Sequence, residues 1–183
     1  MRIPKDGKKV YSWRIFSVYE WPQKNFDGSI ITWERVYKRD TAIVLPIFKW
    51  KIILARQKQP DRARRYYSFI AGKVEDGETP RAGAKRELLE ESWLSAKRLI
   101  HRKTYDDMQR IVWPIHIYIA KDCKQVQKPS LEPWEKIKLL HLTFEEFIAI
   151  MESWKLPARS FENDILRMDK MGTLKEFKKL LLD

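Results

Sequence analysis

Residues 72–94 have the sequence GKVEDGETPRAGAKRELLEESWL. The first seven residues of this segment are mostly glycines and acids, a composition typical of a loop. Thr79 is a suitable helix N-cap, and Pro80 fits the first helical position, where the N–H that proline lacks has no partner within the helix. We therefore predict a loop over 72–78 and a helix that extends to about Ser92.

Three glutamates lie on one side of this predicted helix. Glu87, Glu90 and Glu91 are related by i+3 and i+4 spacing, so they project within roughly 100° of arc. Like charges at this spacing repel each other, by about a few tenths of a kcal/mol per pair when exposed. Taken alone, the helix has two open interpretations: a solvated face balanced by Lys85 and Arg86, or a site for hard divalent cations.

The residues before the helix favour the second interpretation, because the whole segment resembles the Nudix box. That pattern is a glycine, five residues, a glutamate, seven residues, and then Arg-Glu-aliphatic-x-Glu-Glu-x-Gly-aliphatic. The positions that match it are Gly72, Glu78, Arg86, Glu87, Leu88, Glu90, Glu91 and Leu94. Trp93 stands where the family has a glycine, at a helix end where a left-handed backbone costs a bulky residue roughly 1 kcal/mol or more.

The resemblance implies a fold and a reaction. The fold is a mixed α/β or α+β domain, an α/β/α sandwich with a mixed β-sheet and an N-terminal β-hairpin extension. The reaction is hydrolysis of a pyrophosphate bond with Mg²⁺ or Mn²⁺ as cofactor. The implied metal ligands and catalytic carboxylates are Glu87, Glu90 and Glu91, with the backbone carbonyl of Ala71 as a further ligand.

The resemblance also implies structural and loop roles. Gly72, Glu78 and Arg86 would brace the site, since the glutamate and the arginine would form an ion pair that holds the loop on the helix. Related enzymes often place a general base or an extra metal contact in a loop downstream. Glu135 is our candidate for that catalytic role, with Glu132 as the second choice, and a solvated loop glutamate remains an open alternative for either.

Outside the box, the resemblance is to the branch that includes ADP-ribose pyrophosphatases. It rests on residues 39–47 and 57–60 and on the turn Asp27-Gly28 in the N-terminal hairpin. That subfamily is marked by a proline fifteen residues past the box, and this chain has Gln109 there. The exact substrate is therefore open.

Substrate contacts are predicted from position alone. Arg56, Gln57 and Gln59 would lie near the phosphates, and Trp33 or Tyr37 would stack on the base. The first hypothesis is a nucleoside-diphosphate sugar such as ADP-ribose. The alternatives are dinucleoside polyphosphates, 5′-phosphorylated RNA ends, or a non-catalytic nucleotide- or RNA-binding module, against which the three retained helix glutamates argue.

Charge is unevenly distributed along the chain. The formal net charge is +12, and residues 1–70 carry 16 basic and 6 acidic side chains. Such a field attracts polyanions, whether nucleic acid or small phosphate esters, although a solvated basic surface is an equally open interpretation. We expect a small nucleotide as the main partner and do not favour a nucleic acid; a homodimer through the N-terminal hairpin is a further alternative.

Composition limits the location and the number of domains. No segment approaches the roughly 20 apolar residues that cross a bilayer, and the N-terminus does not resemble a secretory signal. A single cysteine, Cys123, fits a reducing compartment. We predict a cytoplasmic protein with a hairpin extension over 1–40 and one hydrolase domain over 41–183.

Periodicity predicts the remaining elements. Residues 12–19 and 30–37 should form a hairpin around a turn at 26–29. The other predicted strands are 41–48, 51–56, 66–71, 99–105 and 111–120. The predicted terminal helices are 144–154, with Thr143 as N-cap, and 173–182.

Overall fold

The computed structural model describes residues 3–106, 110–126, 136–153, 156 and 159–183. The strands are β1 (Lys8–Ser12), β2 (Phe16–Lys24), β3 (Ile30–Lys38), β4 (Thr41–Phe48), β5 (Lys51–Lys58), β6 (Tyr66–Ser68), β7 (Ile70–Lys73), β8 (Leu94–Tyr105), β9 (Ile111–Val112), β10 (Ile115–Gln125) and β11 (Lys136–Leu142). The helices are α1 (Pro80–Ser92), α2 (Phe144–Glu152), α3 (Arg159–Lys170) and α4 (Leu174–Leu182). Within the described ranges, none of these helices is long and apolar enough to cross a membrane.

The N-terminal strands form a separate four-stranded sheet in the order β1-β2-β3-β9. Between β2 and β3, Gly28 has φ 87°, and the backbone N–H of Ser29 donates to the side chain of Asp27 at 2.9 Å. This geometry forms the predicted hairpin turn, since a positive φ is unstrained only for glycine. The predicted N-terminal hairpin is confirmed, and β1 and β9 widen it into a sheet.

The second sheet is mixed, with the order β11-β5-β4-β10-β8 and with β6 and β7 paired to β5 and β4. The central strand β4 runs parallel to β10 and antiparallel to β5 and β7. Its side chains from Ala42 to Ile47 are all buried, as expected for a strand covered on both faces.

Helices cover the two faces of this mixed sheet. Alternation along β5 places Ile53 and Ala55 in a cluster with Leu88 of α1. Ile52 and Leu54 belong to the other cluster, which includes buried side chains of α2, α3 and α4. The layers are therefore α1, sheet, and α2 to α4, so the predicted α/β/α sandwich is confirmed.

Two elements differ from the sequence prediction. The predicted strand 111–120 is interrupted, because Pro114 cannot donate to a ladder and separates β9 from β10. Helix α3 was not predicted at all. Its apolar residues Phe161, Ile165 and Met168 follow helical spacing, so the periodicity that indicates a helix is present in the sequence.

Candidate active site

Helix α1 begins and ends as its sequence predicts. The Thr79 hydroxyl accepts a hydrogen bond from the backbone N–H of Ala82 at 3.2 Å, and Pro80 follows at the first position. At the other end, Trp93 has φ 62° and ψ 16°, and its N–H donates to the carbonyl of Leu89. Trp93 therefore adopts the left-handed conformation that usually favours a glycine.

Arg86 connects the loop and the helix carboxylates. Its Nε lies 3.2 Å from Glu78 Oε1 and its Nη2 lies 3.1 Å from Glu78 Oε2. Nη2 also donates to the carbonyl of Lys73 at 2.8 Å, while Nη1 donates to Glu87 at 2.6 Å and Glu90 at 3.0 Å. The Arg86 hydrogen bonds hold the pKa of Glu78 below its ordinary value, so the pair stays ionised near neutral pH.

Glu87 is buried against the strand that precedes the loop. Its relative exposure is 8%, and its carboxylate lies against Gly72 of β7, where a β-carbon would overlap the carboxylate atoms. Only a residue without a side chain permits this approach. The glycine of the box is therefore required here by space and not by an unusual backbone angle.

Glu91 lies one turn further along the same face. Its exposure is 7%, and its Oε2 accepts a hydrogen bond from the backbone N–H of Ala71 at 3.0 Å. The side chain of Glu90 is 42% exposed. The three carboxylates thus form a row along one side of α1, from a buried position at β7 to the solvent.

The helix carboxylates are the donors that this site offers to a divalent metal. Among the residues that the structure describes, no three acidic, histidine or cysteine side chains converge on a common point as they stand, because Arg86 binds Glu87 and Glu90. The chemistry nevertheless fits: carboxylate oxygens are the ligands that hard cations prefer, and two of these carboxylates are held in place by burial. The residues present could hold a divalent cation if it replaced the guanidinium contacts.

An open cavity of about 490 Å³ lies between the N-terminal sheet and the box loop. Tyr19 and Tyr37 line one wall, and Glu75, Asp76 and Glu78 line the other. The cavity therefore joins the aromatic side chains of β2 and β3 to the brace that contacts the helix carboxylates. Its size suits a small ligand.

Contacts from Arg39 and Asp40 hold the two walls together. Arg39 forms ion pairs with Glu75 at 3.2 Å and Asp76 at 2.7 Å, and the carbonyl of Asp40 accepts from Val74 N at 2.8 Å. The loop is thus attached to the segment that leaves β3, which positions the N-terminal sheet over the site.

A polar network near the cavity was not predicted from the sequence. Asp40 accepts a hydrogen bond from the Tyr37 hydroxyl at 3.2 Å and lies 3.0 Å from His116 Nε2. The other ring nitrogen of His116 lies 3.0 Å from Thr104 Oγ1. Burial first, and the charge of Asp40 second, raise the pKa of Tyr37 to about 12. Tyr37 is therefore a neutral hydrogen-bond donor in the physiological range.

The structure separates the predicted substrate residues. Gln57 is buried and follows Ile53 and Ala55 on the α1 face of β5. Arg56 follows the opposite alternation, and its guanidinium lies 5.9 Å from the ring centre of Tyr67, which packs against the α2 to α4 cluster. Arg56 is thus on the other face of the sheet from the carboxylates.

The other predicted residues have mixed positions. Gln59 is half-buried just after β5. Trp33 lies opposite Trp21 in the N-terminal sheet, with the guanidinium of Arg110 6.0 Å from its ring centre, and it does not line the cavity that contains Tyr37. The predictions for Glu135, Glu132 and Gln109 fall outside the described residues.

Comparison with known proteins identifies the family. A family model described as the NUDIX domain matches residues 37–163. The chain belongs to the NUDIX domain family. The predicted Nudix pyrophosphohydrolase is confirmed, and the family's general use of divalent metals agrees with the donor set described above.

Relatives of this NUDIX protein include two curated enzymes. An "ADP-ribose pyrophosphatase" of Bacillus subtilis (strain 168) is 26% identical over 149 residues, which cover 80% of each chain. An "oxidized purine nucleoside triphosphate hydrolase" of Mus musculus is 38% identical over 82 residues, which cover 43% of this chain and 51% of the relative. The first similarity therefore spans the fold, whereas the second is confined to part of it.

A solved structure shows the same fold. The crystal structure of an ADP compounds hydrolase superposes with a TM-score of 0.70 at 21% identity, covering 92% of this chain and 95% of the other. The two chains therefore share their fold over most of their length.

Proposed function

We propose that this NUDIX protein hydrolyses the pyrophosphate bond of a nucleoside-diphosphate sugar, with ADP-ribose as the leading substrate. Water would be added across the P–O–P bridge to give two monophosphates. The observation that supports this most directly is the row of helix glutamates, which Arg86 connects through Glu78 to a cavity lined in part by aromatic side chains. The row suits the pyrophosphate, and the cavity suits the nucleoside.

The extent of the similarities favours a diphosphate over a triphosphate substrate. The ADP-ribose pyrophosphatase of B. subtilis aligns over most of both chains. The mouse triphosphate hydrolase aligns over less than half of this chain. Because the cavity lining lies mostly outside the box, the relative that aligns over the larger share of the chain is the better guide.

The metal site that we propose uses Glu87, Glu90 and Glu91, with the carbonyl of Ala71. The metal is Mg²⁺ or Mn²⁺, since oxygen donors suit both ions. When bound, such an ion neutralises the pyrophosphate, polarises the attacked phosphorus and lowers the pKa of water.

The protein's own residues would contribute by positioning. Arg86 and Glu78 fix the loop on the helix, and Gly72 lets Glu87 approach the strand. Tyr37 offers a hydroxyl and a ring to the cavity, where ring stacking on a base is worth about 1–3 kcal/mol. Gln57 and Gln59 remain candidates for phosphate contacts, and Glu135 remains the candidate general base.

A substrate panel tests the proposal. The protein is incubated with Mg²⁺ and with ADP-ribose, GDP-mannose, diadenosine polyphosphates, nucleoside triphosphates or triphosphorylated RNA, and the products are identified. We expect AMP and ribose 5-phosphate from ADP-ribose, with activity lost in EDTA and restored by Mg²⁺ or Mn²⁺. Preferred turnover of another compound would replace the substrate, and no turnover at all would refute the enzymatic proposal.

We also propose that two copies associate through the N-terminal sheet. The exposed large apolar side chains of its strands and turns are Val10, Tyr11, Trp13, Ile15, Phe16, Phe26, Ile30, Ile31, Trp33 and Ile111. Apolar area of this kind is typical of interaction surfaces. Sedimentation velocity should show a dimer that Trp13→Ser and Ile30→Ser weaken; a monomer at every concentration would contradict the proposal.

A cytoplasmic location is the third part of the proposal. Cys123 is a free thiol, and burial raises its pKa to about 11, which keeps it protonated and unreactive. A chain with one such cysteine suits a reducing compartment. A tagged protein should fractionate with cytoplasmic markers.

A further inference from the structure

Four cations lie together on one face of β5 and β11, and we call them the cross-strand cation cluster. Arg56 is directly opposite Lys138, and Lys58 is directly opposite Lys136. All four side chains are exposed. Since residues two apart on a strand share a face, the two pairs form adjacent rows about 7 Å apart.

The cluster is unfavourable for the isolated protein. Like charges directly opposite each other on neighbouring strands destabilise a sheet. None of the four residues forms an ion pair with another residue that the structure describes. The two like-charge pairs lie on successive rows, and neither is neutralised by a described acidic residue. Such a surface suits an anion whose negative charges repeat at regular intervals.

An aromatic ring adjoins the cations. Tyr67 is directly opposite Arg56 on β6, so Lys138, Arg56 and Tyr67 form one row across three strands. The Arg56 guanidinium lies 5.9 Å from the Tyr67 ring centre. Cations beside an aromatic ring are a combination that binds single-stranded nucleic acid, since phosphates follow the cations and bases stack on rings.

We propose that the cross-strand cation cluster binds the phosphodiester backbone of single-stranded nucleic acid, independently of pyrophosphate hydrolysis. The cluster lies on the α2 to α4 face of β5, whereas the helix carboxylates lie on the α1 face. The two sites are therefore distinct. The net charge of +12 adds a long-range attraction that raises the association rate.

The structure favours a nucleic acid over a lipid surface. Binding in the plane of a membrane requires apolar side chains that insert beside the cations. Along the described strands β5, β6 and β11, no large apolar side chain is exposed. The cluster offers charge, hydrogen-bond donors and the Tyr67 ring, which match phosphates and bases.

Fluorescence anisotropy tests the proposal with a short 5′-hydroxyl oligouridylate labelled at its 3′ end, in EDTA. This probe has no pyrophosphate and the buffer has no divalent metal, so hydrolysis cannot contribute to the result. We expect binding that weakens as KCl rises. In Arg56→Gln/Lys138→Gln the slope of log K against log salt should become less negative by about 1.4, since each phosphate contact to a single strand contributes about 0.7.

Lys97→Gln/Arg102→Gln is the matched control, because both residues are exposed on β8 at the opposite edge of the sheet. It removes the same two residue types and the same charge. The cluster variant should be at least as stable as the wild type, because it removes a like-charge pair. Equal losses of oligouridylate affinity in the cluster variant and the control would overturn the proposal. Binding of both proteins to phosphatidylserine vesicles is measured in parallel. The proposal would also be overturned if the cluster variant lost vesicle binding but kept its affinity for oligouridylate.

Discussion

At the scale of single residues, burial distinguishes the three helix glutamates. Glu87 and Glu91 are enclosed by backbone of β7, and Glu90 reaches the solvent. A buried carboxylate is costly unless it is hydrogen-bonded or paired. Glu91 accepts from Ala71 and Glu87 accepts from Arg86. The two enclosed carboxylates are therefore preorganised, and we expect them to dominate catalysis.

Glu91→Gln should lower kcat at least about 100-fold, a loss of about 2.7 kcal/mol, comparable to removing one preorganised electrostatic group. Glutamine keeps an oxygen that can accept from Ala71, so the fold should be retained. Steady-state kinetics on ADP-ribose measure the effect. Glu152→Gln, on the exposed side of α2, is the control and should be normal. Near-wild-type kcat in Glu91→Gln would remove this residue from the site.

Gly72→Ala should destabilise the protein by about 1–3 kcal/mol, the usual cost of overpacking, because the new methyl group overlaps the Glu87 carboxylate. Urea denaturation measures the free energy of unfolding. In a Glu87→Ala background the same substitution should cost much less, since the overlapping atoms are gone. An equal cost in both backgrounds would show that space beside Glu87 is not the reason for the glycine.

At the scale of elements, the end of α1 is the least usual feature of the box. Trp93 has a left-handed backbone, and its buried indole Nε1 has no hydrogen-bond partner among the described residues. Both features cost free energy, yet the helix ends where the family pattern ends. The backbone geometry is thus kept although the glycine is not.

The free-energy cost of the left-handed backbone at Trp93 can be measured separately from any effect of the indole ring. Trp93→Gly and Trp93→Ala remove the same ring, but alanine has a β-carbon that is disfavoured at this φ. The glycine variant should be more stable by about 1 kcal/mol. Thermal and urea unfolding of the two variants give the difference. A more stable alanine variant would mean that the turn rearranges.

Helix α3 is attached to β8 by a carboxylate. Asp164 accepts from Lys103 at 2.7 Å and from the Tyr105 hydroxyl at 2.6 Å. Burial alone would raise its pKa, but these two hydrogen bonds outweigh burial and lower the pKa below 3.8. Because the folded pKa is the lower one, the unfolded state takes up the proton first as the pH falls, and the stabilisation is complete above the unfolded value.

The stability of the protein should consequently fall in acid partly through Asp164. As the pH drops below about 3.8 and through the lower folded pKa, the contribution of this residue disappears. Asp164→Asn should be less stable than the wild type at neutral pH, and the gap should narrow in that acid range. Urea midpoints at several pH values measure it. A gap that is constant with pH would contradict the assignment.

Local signals explain which elements were predictable. The cap at Thr79, the proline at 80 and the carboxylate spacing are short-range features, so α1 was placed correctly from Pro80 to Ser92. Helix α3 has an apolar pattern at helical spacing that could have placed it, although its burial depends on partners distant in sequence. Pro114 lies inside an apolar run, so periodicity alone predicts one strand where the missing N–H of proline separates two.

At the scale of the whole molecule, the site forms where the two sheets meet. Asp40 connects the Tyr37 hydroxyl to His116, a residue 76 positions away. No sequence pattern links residues at that separation, so this network could not be predicted. The side of the sheet on which Arg56 lies could not be predicted either. The apolar pattern indicates a strand that ends at residue 56, but β5 continues for two more residues.

The proposed boundary near residue 40, between the hairpin extension and the hydrolase domain, can be tested with a shortened chain. A chain that begins at residue 39 should fold, because the clusters on both sides of the mixed sheet lie beyond that point. It should lose the Tyr37 wall of the cavity, so KM should rise about tenfold or more, in line with a lost stacking contact. Tyr37→Ala in the full chain should reproduce most of the rise.

Two results would contradict this prediction. Loss of helical circular dichroism in the shortened chain would show that the N-terminal sheet is needed for folding. An unchanged KM in Tyr37→Ala would place the nucleoside elsewhere.

The contact of Arg86 with both Glu87 and Glu90 means that the helix carries its own counter-ion. Small zinc domains unfold when a chelator strips them, but this protein should survive dialysis against EDTA and be reloaded afterwards. An ion held by the proposed carboxylates would have to displace the guanidinium, and that exchange would weaken its apparent affinity. If the proposed metal site is right, the arginine that braces the loop should also raise the metal concentration needed for half-maximal activity.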